Sequence, residues 1–321
     1  MRRKLLDILV CPKCKKTLTL KDEVASGERI KSGTLKCRGC EASYEVRDYI
    51  PRFVASDSYV GNFSLEWTIH SRTQVDNAYS QESLKTFAQK TGFAREDIRG
   101  KLVLDVGCGS GRFADIALKW GGEVVGVDMS YSVDAVRKNF ANKDKLDLVQ
   151  ADIFYLPFKD NAFDIIYSIG VLHHTKDCKA AFKRLPSLLR KGGKIAIWVY
   201  SAHLYRGIDA RVMELYRQAG SRLPKRLLYL LCAMASFSYP LWNGRFMYKF
   251  WHMVLPGFLF HSVPVLTDYR KYDWRLLDNF DFYSPRFQSK HSYPEVFSWF
   301  KEENLTNIKP LDFEVAVQGE K

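Results

Sequence analysis

The 321 residues suffice for one large domain with attachments or for two domains. With 46% hydrophobic and 26% charged residues, the composition is that of an ordinary soluble globular chain and excludes extensive disorder. The net charge of +13 admits a polyanionic partner such as RNA, anionic lipid or a phosphorylated substrate, but selects none, because many basic proteins bind no polyanion.

The first ten residues mimic a secretory signal only superficially, since Asp7 interrupts a short apolar core. The expectation is a cytoplasmic protein. Four of the seven cysteines fall in two knuckles, Cys11-Pro-Lys-Cys14 and Cys37-Arg-Gly-Cys40. Two such turns facing each other give a closed tetrahedral site, so Cys11, Cys14, Cys37 and Cys40 are expected to hold a structural zinc ion. Two disulfides are the alternative, which a cytosolic chain disfavours. Between the knuckles, Thr17 to Leu20, a polar turn at Gly27 and Thr34 to Lys36 predict a β-hairpin.

Residues 55–95 read as a connector and an N-terminal helix. The connector holds an aromatic and polar patch from Phe63 to Gln74, which by itself reads as a packed linker. Ser83 to Thr91 predicts the helix, apolar at Leu84, Phe87 and Ala88.

The run Leu102-Val-Leu-Asp105-Val-Gly107-Cys-Gly109-Ser-Gly111 then takes an apolar strand into a carboxylate and three alternating glycines, ahead of a helical pattern. Such a turn lets a ligand lie against the backbone, although nucleotide and dinucleotide sites use similar turns. A second strand ends in Asp128, 17 residues after Gly111, within reach of ribose hydroxyls. A third ends at Asp152-Ile153, a fourth runs from Phe163 to Gly170, and a fifth follows Gly192-Gly193. This alternation predicts an α/β fold, a doubly wound parallel sheet whose ligand crevice lies at the carboxyl ends of its strands.

Residues 201–284 interrupt the pattern with an aromatic, largely helical insertion. Between Ser201 and Phe260 it carries eight Lys or Arg against two acids, and Leu227 to Gly244 and Phe250 to Thr267 are free of charge. Prolines and polar residues spoil both as membrane spans. A lid over a substrate pocket, a peripheral membrane surface through residues 227–267, and an oligomer interface are the three readings. A helix from Pro294 and a closing strand pair, Asn307 to Pro310 and Glu314 to Gln318, complete the sheet. The domains expected are thus 1–54, 55–95, 96–200 with 285–321, and 201–284.

In their order, the Asp-x-Gly-x-Gly-x-Gly run, the acid after strand two, Ala151-Asp152 and the Gly-Gly before strand five closely resemble class I S-adenosylmethionine-dependent methyltransferases. The wording Ser168-Ile-Gly-Val-Leu-His173-His174 resembles the type 11-like branch, which includes quinone C-methyltransferases. The first 54 residues resemble the small zinc-binding subunits that stabilise certain methyltransferases, here fused to the enzyme-like part. The resemblance implies a Rossmann-like, seven-stranded sheet with an antiparallel last strand, and S-adenosylmethionine bound by Asp105, Gly107, Gly109, Gly111, Asp128, Met129, Asp152, Ile153 and Ser168. On this reading Asp105 helps hold the methionine ammonium, Asp128 takes the ribose hydroxyls, Asp152 the adenine amino group, and Ile153 stacks on the ring. The resemblance also makes the Phe63 to Gln74 patch a cover for the cofactor pocket, as the alternative to a packed linker.

His173 and His174 are candidate catalytic bases for an acceptor that must lose a proton, with a purely structural use as the alternative. Asp281, Tyr283, Arg286 and His291 are candidate substrate contacts. Strand four lacks the Asn/Asp-Pro-Pro-aromatic clamp of many exocyclic-amine methyltransferases, and no Pro-Cys nucleophile follows it. The acceptor expected is therefore a small molecule, a sugar or a lipid-linked metabolite, methylated at O, C or N. RNA read by the ribbon and the basic surface, and a non-catalytic cofactor-binding scaffold, are the alternatives. The ribbon itself reads as a structural prop or as a substrate contact. Oligomeric state is not legible.

Overall fold

Apolar residues on alternate positions of the four-cysteine segment fold it into a meander: β1 (Leu18–Ser26), β2 (Arg29–Cys37), β3 (Ser43–Arg47) and β4 (Ile50–Arg52). The predicted hairpin is β1 and β2, in antiparallel register from Leu18 opposite Cys37 to Ser26 opposite Arg29. The computed structural model describes residues 1–54, 69–70, 73, 75–76, 81–203, 208–242 and 272–321. Most of the Phe63 to Gln74 patch, and residues 243–244 and 250–267 of the charge-free stretches, lie outside the described residues.

The remaining elements alternate as the pattern predicts: α1 (Glu82–Thr91), α2 (Arg95–Ile98), β5 (Leu102–Val106), α3 (Arg112–Lys119), β6 (Glu123–Asp128), α4 (Ser132–Asn139), β7 (Leu146–Gln150), β8 (Phe163–Ile169), α5 (Cys178–Phe182) and β9 (Leu189–Trp198). The insertion gives α6 (Ile208–Arg222), α7 (Lys225–Trp242) and α8 (Tyr272–Tyr283), and the chain closes with α9 (Tyr293–Glu302), β10 (Thr306–Pro310) and β11 (Ala316–Glu320). Among the described residues, no helix is long and apolar enough to cross a membrane.

The strands form one sheet in the order β1-β2-β3-β4-β7-β6-β5-β8-β9-β11-β10. Its seven-stranded part, β7 to β10 in that order, matches the expectation: β5 to β9 run parallel and β11 pairs antiparallel with β9. The last strand starts two residues later than the apolar pattern suggested, because Val315 sits at φ 55, where a β-branched residue cannot continue a strand.

The sequence did not show that the ribbon shares this sheet. Arg52 on β4 pairs in parallel with Gln150 on β7, and Phe53 N–H donates to Gln150 O at 2.8 Å. Without β4, β7 would present an unpaired row of backbone groups, and the ribbon covers that edge. A second seam forms where Leu9 bridges Phe158 and Val10 N–H donates to Pro157 O at 2.9 Å.

One sheet face and the ribbon therefore share a core, in which Met1, Leu5, Leu9 and Val46 are continuous with Val127, Phe158 and Phe163. The other face buries Phe87, Val124, Val136 and Tyr167. The helical insertion keeps a smaller cluster of its own, including Leu228, Cys232, Leu276, Phe280 and Tyr283. On the outside of α7, Leu227, Leu230, Met234 and Phe237 are exposed.

Candidate functional site

The site begins where β5 runs out. Gly107 (φ 77), Gly109 (φ 49) and Gly111 (φ 81) all adopt left-handed backbone. A Cβ at Gly107 would stand 2.3 Å from Val171 Cγ2, and one at Gly111 2.9 Å from Phe140 and Val136. Gly107 N–H and Cys108 N–H both donate to Val127 O, at 2.7 and 3.1 Å, folding the turn over the end of β6. Gly111 then caps α3.

Two carboxylates wall this turn. Gly109 N–H donates to Asp128 Oδ2 at 3.0 Å, while Ser130 donates to Asp128 Oδ1 through its N–H at 2.9 Å and its hydroxyl at 2.7 Å. Asp105 is buried, and its Oδ2 closes no hydrogen bond among the described residues. Burial pushes Asp105 up to about 7, the nearby Asp128 adds to the rise, and the Tyr167 hydroxyl opposes it. Asp128 is raised as well, by burial, against the donors from Ser130 and Gly109. The two acids are close enough to interact through space. Beyond the Tyr167 hydroxyl, Asp105 Oδ2 has room for a further donor, preferably cationic.

The third strand contributes less tension. Asp152 caps the turn Ile153–Tyr155, its Oδ1 accepting from Phe154 N–H at 3.0 Å. Ala151 N–H donates to Asp128 O at 3.0 Å, and Met129 O accepts from Gln150 Nε2 at 3.0 Å, so the ends of β6 and β7 are tied together. Asp105, Gly107, Gly109, Gly111, Asp128, Met129, Asp152 and Ile153 thus gather at the carboxyl ends of β5, β6 and β7. The Ser168 hydroxyl donates to Val106 O at 3.1 Å, within the sheet.

Beyond β8, His173 and His174 lie buried in one turn of 3₁₀-helix. His173 stacks on Tyr200 at 3.8 Å, and neither of its ring nitrogens has a partner among the described residues. His174 Nδ1 lies 3.1 Å from Phe287 O. Burial lowers both, His173 well below its ordinary value and His174 to about 4, so both rings are neutral at physiological pH. Neutral imidazoles are the form able to accept a proton.

The proposed substrate contacts do not converge as a set. Asp281 faces the same region as Asp278, and burial lifts it to about 6. Tyr283 packs edge-on against Phe282 at 4.9 Å, and Arg286 is exposed beside Phe287. His291 is fully engaged, Nδ1 with Glu295 Oε1 at 2.8 Å and Nε2 with Ser289 Oγ at 2.7 Å.

Three residues that sequence reasoning passed over stand nearby: Lys90, Arg112 and Asp278. Lys90 lies 3.1 Å above the Trp198 ring and 4.3 Å from Phe313, and it interacts with Asp278, Arg112 and His173 through space. Burial, then Asp281, push Asp278 up to about 8, with Arg112 and Lys90 opposing. A signal was present. Ser83, Phe87, Lys90 and Thr91 form the buried stripe of α1, and a lysine within such a stripe is out of place.

In the ribbon, the four sulfurs of Cys11, Cys14, Cys37 and Cys40 lie within 4.8 Å of one another. The closest pairs, Cys14 with Cys37 at 3.4 Å and Cys11 with Cys40 at 3.6 Å, join opposite knuckles and are too far apart for disulfides. Four thiolates about 2.3 Å from a tetrahedral ion stand about 3.8 Å apart, so the donor set fits zinc with no position left for substrate. Tyr44 Oη approaches Cys11 Sγ at 3.3 Å and supports it from outside the cluster.

Residues 104–197 match the methyltransferase domain family known as Methyltransf_11, and residues 2–48 match the Trm112p-like protein family. A ubiquinone biosynthesis O-methyltransferase of Coxiella burnetii is 36% identical over 119 residues, covering 35% of this chain and 51% of that protein. A sterol 24-C-methyltransferase of Saccharomyces cerevisiae is 34% identical over 31% of this chain and 27% of its own length. A protein named as tRNA methyltransferase 9B of Bos taurus is 32% identical over 38% of this chain and 26% of its own. The chain spans about half the length of the first of these relatives. Both the Trm112p-like match and the cysteine cluster are consistent with a structural zinc ion. The chain carries a Trm112p-like domain at its N-terminus, followed by a Rossmann-like domain of the Methyltransf_11 family.

Proposed function

We propose that the protein is an S-adenosylmethionine-dependent methyltransferase acting on a small-molecule, sugar or lipid-linked acceptor at O, C or N. The observation that carries this reading is the partnerless Asp105 Oδ2 beside Asp128 on a turn of three left-handed glycines. When bound, the cofactor supplies a methyl group already activated on a sulfonium centre. Asp105 is assigned to its ammonium group, which provides the further donor that the buried carboxylate has room for. Asp128 is assigned to the ribose hydroxyls, because its Oδ2 retains acceptor capacity beyond the bond from Gly109 while Ser130 fixes Oδ1. Asp152 keeps Oδ2 for the adenine edge, and Ile153 flanks the ring.

On the acceptor side the residues have mainly to align the substrate and exclude water, and alignment alone can supply several kcal/mol of a displacement barrier. His173, with both nitrogens unspent among the described residues, is assigned as the group that takes a proton where the acceptor must lose one, although its burial disfavours the charged ring. Calorimetry with S-adenosylmethionine and its demethylated product tests the reading. Saturable binding that weakens about a hundredfold in Asp128→Ala is expected, and its absence from the zinc-loaded wild type would overturn the reading and leave a non-enzymatic role. Methyl transfer from labelled donor into fractionated extract then identifies the acceptor class.

A second reading, RNA as acceptor, draws on the charge of +13 and the relationship to the tRNA methyltransferase named above. Phosphate contacts weaken steeply with salt. Retention on RNA that falls with salt would favour it, and indifference to RNA at low salt removes it.

A further inference from the structure

The helical insertion has one face that its own core leaves uncovered. On α7, Leu228 and Cys232 pack with Leu276 and Phe280 of α8, which buries that side of the helix. Leu227, Leu230, Met234 and Phe237 lie on the other side, spaced so that they form one stripe. They are 44%, 55%, 53% and 79% exposed. Single exposed apolar residues are ordinary on a protein surface, but four large ones in line mark a contact surface.

The charge beside the stripe has one sign. Arg226 sits next to Leu227 and one turn before Leu230, and Arg222 closes α6 just ahead of it. Both arginines are exposed, and the insertion's ion pairs among the described residues run instead from Arg217 and Lys290 to Glu214. From residue 215 to residue 267 the sequence contains no Asp or Glu. An apolar stripe headed by arginines, with no acid to balance them, complements a surface that is anionic outside and apolar beneath, which is a phospholipid bilayer. A second copy packed through the same face would bring arginines towards arginines and, from this segment, no acid.

The stripe is also tied to the site. Arg217 Nη1 donates to Pro285 O at 3.0 Å and Lys225 Nζ to Ser284 O at 3.3 Å. A few residues on, His174 Nδ1 lies 3.1 Å from Phe287 O, and Ser289 N–H donates to His173 O at 2.8 Å. Residues 284–289 thus hold the helix pair to the histidine turn beyond β8.

We infer that α7 lies in the interface of an anionic bilayer, with Leu227, Leu230, Met234 and Phe237 against the acyl chains and Arg222 and Arg226 at the phosphates. The inference rests on the methyltransferase reading only in the acceptor class it favours, the lipid-linked one, and its test uses no acceptor. The zinc-loaded full chain is floated with vesicles of phosphatidylcholine alone or of equal parts phosphatidylcholine and phosphatidylglycerol, and the bound fraction is followed against lipid concentration. Saturable binding to the mixed vesicles is expected, about tenfold tighter than to phosphatidylcholine alone and weakening with salt. Leu230→Ser with Phe237→Ser should weaken it about a hundredfold. Arg222→Gln with Arg226→Gln should weaken it about tenfold and remove the preference for the anionic lipid.

Equal binding by wild type and the serine pair, no preference of wild type for the anionic vesicles, or no binding to either vesicle overturns the inference. A wild-type dimer in light scattering that the serine pair makes monomeric, without vesicle binding, assigns the face to a second copy instead. All four substituted side chains are exposed, so both variants should keep the wild-type circular dichroism. If the serine pair does not fold, Phe237→Ser alone and the arginine pair decide. Failure of the demethylated cofactor product to bind wild type in calorimetry would overturn the methyltransferase reading and leave the vesicle result standing.

Discussion

A single oxygen atom illustrates how much of this site is tension. Asp105 holds its proton more tightly folded than unfolded, because burial lifts it from 3.8 to about 7. Its contribution to stability is therefore full below about 4 and is lost as pH rises towards 7, on the order of 4 kcal/mol in all. Asp105→Asn should raise the melting temperature of the ligand-free protein at pH 8 and change it little at pH 4. An unchanged melting temperature at both would show that Asp105 is not strained. The same argument runs in reverse for the cofactor, since an ammonium group needs the ionised form. Its affinity, followed by calorimetry, should increase between pH 6 and 8 in wild type and lose that slope in Asp105→Asn. Asp128→Ala removes the acceptor of three donors, and should weaken cofactor binding by about two orders of magnitude while zinc content and the far-ultraviolet spectrum remain those of wild type.

Elements were legible in the sequence where period and punctuation agreed. The glycine turn, the strand-end acids and the cysteine knuckles each carry their own spacing, so the parallel strands, the crevice and the thiolate cluster could be placed from residues alone. Contacts between distant segments carry no such mark. Nothing in Ile50-Pro-Arg52 announces that Arg52 will reach Gln150 Oε1 at 3.0 Å and fork onto Asp134 at 2.6 and 3.1 Å. Lys90 was legible in principle, as a charge on an apolar stripe, but its partners Trp198, Phe313 and Asp278 come from three separate elements.

The Arg52 contact has a consequence at this scale. Gln150 also holds Met129 O, next to Asp128, so the ribbon braces the end of β6. Arg52→Met should lower stability by about 2 kcal/mol, less than a fully buried pair would lose because Asp134 is one-third exposed. It should also weaken cofactor binding severalfold. Intact affinity in a destabilised variant would restrict Arg52 to holding the ribbon.

At the scale of the whole molecule, the ribbon and the catalytic sheet share backbone pairing and one core, so they should unfold together. Chelation of zinc, or Cys37→Ser, removes the ion that closes the knuckles. Calorimetry should then show the transition that contains the sheet moving to lower temperature as one event. A ribbon that melted alone, with the sheet transition unmoved, would contradict the shared core. Because β4 and β7 belong to the same polypeptide, the seam between these two units does not depend on how many molecules are present. Where two separate chains would drift apart on dilution, this pair keeps one fixed local concentration, and its turnover per molecule should be the same in a crowded cell as at nanomolar concentration in a cuvette.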